Sequence, residues 1–189
     1  MASQTVRSFL AIELSRELKT EAQSFLDPIQ KKLSGFRFVP PQNWHLTLHF
    51  FGQIELSKIE QFASHLPEFL FGIKPFSISL SGFGAFPSTH SPRILWVGIN
   101  GDIERLLELK GRLDRALEKS HFKVETRPFH AHVTVARSKA ENIHLDAELN
   151  RKFLGKATEQ VSQVTLFKSD LSKQGAVYTP LNVFPFPSL

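Results

Sequence analysis

The chain has 189 residues, 41% hydrophobic and 22% charged, a balance that fits one globular domain with a sizeable core and excludes a disordered or fibrous chain. It contains no cysteine, which excludes disulfide frameworks, Cys-ligated zinc and thiolate nucleophiles. A formal net charge of +5 favours anionic partners, nucleic acid being the commonest.

The basic residues are scattered from Lys31, Lys32 and Arg37 through to Arg151, Lys152 and Lys156, so no disordered basic tail is expected. No stretch approaches the ~18 consecutive apolar residues of a membrane span, and the apolar run at 8–12 is too short for a signal-peptide core. A cytoplasmic protein without membrane association is the expectation. The 18 Phe, against one Tyr and two Trp, predict a core built on Phe, with some rings spare for stacking on bases.

In chain order, residues 6–12 read as a strand. Ser15 is the N-cap of a helix whose Leu18, Ala22, Phe25, Ile29 and Leu33 recur at helical spacing to about residue 32, and Gly35 ends it. Pro40 and Pro41 deliver the chain into a strictly alternating segment. Trp44, Leu46, Leu48 and Phe50 fall on one face, and Asn43, His45, Thr47 and His49 on the other. Gly52 stops it. A second helix carries Leu56, Ile59, Phe62, Ala63 and Leu66 and is closed by Pro67. Residues 76–80 form a strand, 82–87 a loop, 93–99 a strand, and a long helix runs from Ile103 to near His121. The second alternating strand, 131–136, has Val133 and Val135 on one face and His132 and Thr134 on the other. A helix over 145–153 and two closing strands, 161–167 and 176–184, complete the chain, the latter joined by a Ser-Lys-Gln-Gly turn. The order β-α-β-α-β-β-α-β-α-β-β is an α+β arrangement, with helices laid on an antiparallel or mixed sheet. Strand, helix and His-x-Thr strand occur in each half, the histidines 132 − 45 = 87 residues apart. Two comparable lobes meeting at a cleft, within a single domain spanning 1–189, are expected.

On a strand, residues i and i+2 point the same way, so each His presents its imidazole beside its own Thr hydroxyl. Two such strands facing each other would gather two imidazoles, able to work as one base and one acid. They would also gather two hydroxyls, able to donate to the oxygens of a phosphate between them. That constellation suits in-line attack at phosphorus and requires neither a metal nor a covalent nucleophile. Arg137, five residues after His132 and just past the strand, is placed to supply permanent charge to the same phosphate.

Residues 43–52, Asn-Trp-His-Leu-Thr-Leu-His-Phe-Phe-Gly, and 132–137, His-Val-Thr-Val-Ala-Arg, resemble the two signature motifs of the 2H phosphoesterase superfamily. Within it the chain is most similar to the bacterial and archaeal RNA 2′,3′-cyclic phosphodiesterases, also known as 2′-5′ RNA ligases. The likeness spans nearly the whole chain: the opening strand at Arg7–Ala11, Val39-Pro40-Pro41 before the first motif, the segment 82–98, and the end from Leu166 to Tyr178. One departure is Ala131, where the family usually has Pro before the second motif His. Proline there would stiffen the entry to the strand, so the change reads as tolerable.

The resemblance implies a bilobal, pseudo-symmetric fold with the catalytic strands lining a central cleft. It implies metal-independent hydrolysis of RNA 2′,3′-cyclic phosphate ends to 2′-phosphomonoesters, with no cofactor. Carried over by position, His45 is the proton donor to the departing 3′ oxygen and His132 the proton acceptor from water, while Thr47, Thr134 and Arg137 hold the phosphate. Reversible 2′-5′ ligation uses the same groups.

Other readings of the same residues stay open. His45, His130 and His132 together could form a three-His metal site, whereas His49 lies too far along the sheet to share a compact one. His65, His90, His121 and His144 read as surface residues. The chain could be a non-catalytic RNA- or nucleotide-binding module, or a 2H enzyme acting on a small cyclic nucleotide or a 2′-5′ oligoadenylate. A monomer is the simplest expectation.

Overall fold

The computed structural model describes residues 4–139, 153–172 and 175–187. The order of elements is β1 (Thr5–Glu13), α1 (Arg16–Gln30), β2 (Phe36–Phe38), a 3₁₀ turn (Pro41–Asn43), β3 (His45–Glu55), α2 (Leu56–Leu70), β4 (Phe76–Phe86), β5 (Ile94–Gly101), α3 (Ile103–Lys119), β6 (His132–Ser138), β7 (Leu154–Val161), β8 (Gln163–Ser172) and β9 (Gly175–Pro185). Ser15 caps α1 as expected, its hydroxyl accepting from the Leu18 amide at 3.3 Å. None of the described helices is long and apolar enough to cross a membrane.

All strand pairings are antiparallel. The sheet runs β7-β4-β5-β6-β3-β1-β8-β9, with β2 paired to β6. It consists of two four-strand blocks that meet between β3 and β6 through one pair of residues, Leu46 opposite Val133. Both are fully buried, so the junction is anchored by apolar side chains in the core beneath the sheet. The α+β arrangement with its helices on one side of antiparallel strands is as the sequence predicts.

Helix α1 is tied to β7 by side chains capping exposed backbone donors. The Glu21 carboxylate accepts from the amides of Lys156 and Ala157 at 2.5 and 3.2 Å, and Glu159 accepts from the Ser15 amide at 2.7 Å. The core is dominated by aliphatic residues rather than by Phe. Of the largest fully buried side chains only Phe62 and Phe76 are aromatic, the others being Leu or Ile. Most other Phe rings lie in or against that core, while Phe9 and Phe50 line the cleft.

Several boundaries differ from expectation. Helix α2 continues through Pro67 to Leu70. Leu66 and Leu70 are both fully buried, and their burial at i, i+4 spacing outweighs the one backbone bond that proline forfeits. The predicted loop at 82–87 is strand, since β4 runs on to Phe86. Gly84 lies opposite Trp96, and a Cβ there would come within 2.3 Å of the indole. That glycine gives room to a ring rather than breaking the strand. Strands β2 and β7 are additions to the expected order. The helix expected over 145–153 lies outside the described residues apart from Phe153, which is buried and irregular. The expected turn at 172–175 likewise lies partly outside them.

Candidate active site

The junction between the blocks creates the site. With Leu46 opposite Val133 and the strands antiparallel, His45 falls level with Thr134 and Thr47 level with His132. Leu46 and Val133 point into the core, so their four neighbours point the other way, into the cleft. His45, Thr47, His132 and Thr134 are all half-buried.

Arg137 reaches the same face by a device the alternation does not show. Five residues from His132 is an odd offset, which would aim it at the core. In the ladder between β5 and β6, however, Trp96 lies opposite Thr134 and Leu95 opposite Ala136. Val135 is skipped, a β-bulge that flips the faces after it. Ala136 therefore turns into the core, fully buried, and Arg137 turns out into the cleft from within β6 rather than beyond it.

An equivalent bulge occurs in β3 and corrects the reading of His49. Leu10 lies opposite His49 and Ala11 opposite Thr47, which skips Leu48. His49 is thereby sent to the helix side, 4.7 Å from the Phe51 ring between centroids, and Phe50 is sent to the cleft. Burial, the dominant cause, lowers the His49 pKa to about 4, with Lys110 of α3 adding to the shift. His49 takes no place beside His45. Of the other histidines, His90 and His121 are exposed and His65 is half-buried, while His144 lies outside the described residues.

The two motif imidazoles are held alike. His45 Nδ1–H donates to the Asn43 carbonyl at 2.8 Å, and His132 Nδ1–H donates to the His130 carbonyl at 2.7 Å. A carbonyl can only accept, so each bond fixes the tautomer and leaves Nε2 for the substrate. Asn43 is a site residue that the sequence reading passed over. Its side-chain amide donates to the Ala176 carbonyl at 2.7 Å, tying the support of His45 to β9. His130 engages His132 through its backbone. Among the described residues no three His, Asp or Glu side chains gather closely enough to hold a metal ion.

Each imidazole sits in its own aromatic nest. His45 stacks on Phe9 at 4.6 Å and meets the edge of Tyr178 at 5.3 Å. His132 meets Phe86 at 5.0 Å and Trp96 at 6.3 Å. These rings withdraw water and so disfavour the charged forms. Burial lowers the His45 pKa to about 4, against the opposing pull of the Asn43 carbonyl, with Lys19, Arg137 and His132 adding repulsion. Burial also lowers His132, with His130 and Arg137 adding to it against the His130 carbonyl. Desolvation outweighs the hydrogen bond at both, so both rings are neutral in the free protein at neutral pH.

A cavity of about 290 Å³ opens over His45, Thr47, Thr134 and Arg137 and extends along the block β3-β1-β8-β9, the first block, with β7-β4-β5-β6 the second. Its further wall is formed by Arg7 and Phe9 of β1, Phe50 of β3, Ser169 and Leu171 of β8, and Ala176 and Tyr178 of β9. His132 is not among its lining residues. It stands on the opposite side with Phe86 and Trp96, near enough for its charge to bear on His45.

A family model described as LigT like phosphoesterase matches the chain twice, over residues 12–96 and 97–178. Each match contains one His-x-Thr pair, as the repeat read from the sequence would have it. The chain is 33% identical over 184 residues to the RNA 2′,3′-cyclic phosphodiesterase of Methanothermobacter thermautotrophicus, covering 95% of this chain and 98% of that protein. It is also 33% identical over 184 residues to the RNA 2′,3′-cyclic phosphodiesterase of Archaeoglobus fulgidus, covering 95% and 99%. The crystal structure of a Thermus thermophilus protein superposes with a TM-score of 0.80 at 26% identity, over 95% of this chain and 97% of that one. The fold also matches that of Escherichia coli LigT in its apo form, with a TM-score of 0.79 at 24% identity over 97% and 98%.

Proposed function

The chain belongs to the LigT-like phosphoesterase family, and from that premise we propose that it is an RNA 2′,3′-cyclic phosphodiesterase using His45 and His132 as a paired acid and base. The observation that carries this reading is the matched pair of Nδ1–carbonyl bonds flanking the Leu46–Val133 junction. They leave Nε2 of each imidazole for a substrate, with Thr47 and Thr134 on the same face of the sheet. A binding module has no use for two imidazoles oriented in this way.

In the proposed reaction the cyclic phosphate lies between Thr47 and Thr134, whose hydroxyls donate to its non-bridging oxygens, and Arg137 supplies fixed positive charge. His132, neutral, takes a proton from water through Nε2 as the water oxygen bonds to phosphorus. The P–O3′ bond breaks opposite it, and His45, protonated, gives its Nε2 proton to the leaving O3′. The products are a 2′-phosphomonoester and a 3′-hydroxyl, and the two histidines have exchanged protonation states. A 5′-hydroxyl in place of water gives a 2′-5′ linkage with the same groups. The reading takes the chain as one two-lobed catalytic unit, a cytoplasmic monomer requiring no metal or cofactor. Incubation with an RNA ending in a 2′,3′-cyclic phosphate should yield a 2′-phosphate end at a rate unchanged by EDTA. Binding without turnover, or turnover abolished by EDTA, overturns it.

The depressed histidines set the pH dependence. The value of kcat/KM reports the free protein, which must have His132 deprotonated and His45 protonated. Burial holds His45 to about 4 and His132 below its ordinary 6.5. The kcat/KM profile is therefore a bell whose high-pH limb lies below 6.5, its two limbs belonging to the coupled pair. A bound phosphodiester anion favours both imidazolium forms, so the kcat profile is displaced to higher pH. A rate independent of pH between about 5 and 9 would remove paired histidines from the mechanism.

A further inference from the structure

Arg7 lines the same cavity as His45, yet nothing in the reaction proposed above uses it. It precedes Phe9 by two residues on β1, so it shares the cleft face, and it lies opposite Gln53 of β3, well along the strand from His45. Its guanidinium carbon lies 4.6 Å from the centroid of the Phe50 ring, and Phe50 is 48% exposed. A guanidinium held over an aromatic ring keeps its charge and its planar set of donors, the features by which arginine binds a phosphate. The Arg7 Nε is buried and has no hydrogen-bond partner among the described residues. Buried polar atoms are normally paired, so a charged donor without an acceptor beside an open cavity is a candidate to bind an anion.

The two bulges give this position its meaning. Phe50 stands five residues after His45, as Arg137 stands five after His132, and each is turned into the cleft by a skipped residue two places earlier. The second block thus brings a cation to the reacting phosphate. The first brings an aromatic platform with a cation laid on it, further out. Arg7 lies opposite Gln53, eight residues along β3 from His45, so it is disposed toward a different anion.

Resting on the RNA-end reading above, we infer that Arg7 on its Phe50 platform is a second anion site, holding the phosphodiester that joins the terminal nucleotide to its 5′ neighbour. A cyclic mononucleotide offers the reacting phosphate alone, whereas an RNA end offers both. The site therefore selects polymer ends over free nucleotides.

The test compares a dinucleotide carrying a 3′-phosphate with a nucleoside 3′-monophosphate by calorimetric binding, and the corresponding 2′,3′-cyclic compounds by kcat/KM. Arg7→Met keeps an apolar stem against Phe50 and removes the donors, and Arg7→Lys restores charge without the fork. Arg7→Met should lose on the order of 10-fold more on the dinucleotide than on the mononucleotide, with Arg7→Lys recovering part of that. The salt slope of dinucleotide binding should fall by about one phosphate contact. Parallel losses on both ligands, or no loss on either, overturn the inference. A wild-type protein that binds both ligands but cleaves neither cyclic compound sinks the proposed reaction instead, and the binding comparison still decides the role of Arg7.

Discussion

His45→Ala and His132→Ala each lower kcat on an RNA 2′,3′-cyclic phosphate by about four orders of magnitude or more, on the order of 5 kcal/mol of transition-state stabilisation. The size follows from acid and base acting in one step: without His132 the proton of the attacking water has no acceptor, and without His45 the O3′ must leave unprotonated. For the same reason the double variant is little worse than either single one. What remains in all three is the proposed phosphate cradle of Thr47, Thr134 and Arg137. The control is His49→Gln. His49 lies four residues from His45 in sequence but on the helix side of the sheet beside Phe51, so this change leaves kcat within a few-fold of wild type. Rapid-quench or steady-state assays at saturating RNA, with circular dichroism to verify folding, decide the matter. A His49 variant as inactive as the His45 variant would contradict the bulge at Leu48.

Arg137→Ala lowers kcat/KM by about 10³-fold, at the upper end for loss of one oxyanion donor because the group is charged and can donate in two places. Arg137→Lys recovers only part, since an ammonium supplies the charge without the planar fork. A second readout separates this role from simple damage. The Arg137 charge lowers the pKa of both His45 and His132. Removing it favours both imidazolium forms, so both limbs of the kcat/KM profile move to higher pH in Arg137→Ala and return toward their original position in Arg137→Lys. Lost activity with unmoved limbs would place Arg137 away from the imidazoles.

Much of this site is legible in the sequence because it depends on the simplest periodicity in proteins. His45 with Thr47, and His132 with Thr134, needed only a two-residue repeat and an apolar opposite face. What alternation could not supply is the skipped residue. Leu48 and Val135 are ordinary apolar residues, and nothing in their side chains marks them as the places where a ladder slips. Without the slips, Arg137 and His49 are assigned to each other's sides. Asn43 was hidden differently, since its hold on His45 is made by a backbone carbonyl that any residue possesses. Strand β7 is a polar sheet edge with few buried side chains, which leaves a weak apolar signal. The far wall of the cavity is drawn from Ser169, Leu171, Ala176 and Tyr178, more than a hundred residues from His45 in the chain, a proximity decided by strand order alone.

The junction of the two blocks has a mechanical consequence. In any relative rotation of two packed blocks, points near the line where they meet travel least and the outer margins most. His45 and His132, the proposed proton donor and acceptor, flank that junction, so a rocking of the two blocks would change their separation least. Phe50 and Arg7 stand further from that line, where the same rotation becomes travel. Place in the sheet thus separates the tolerance required by the reaction from the latitude required to admit a polymer.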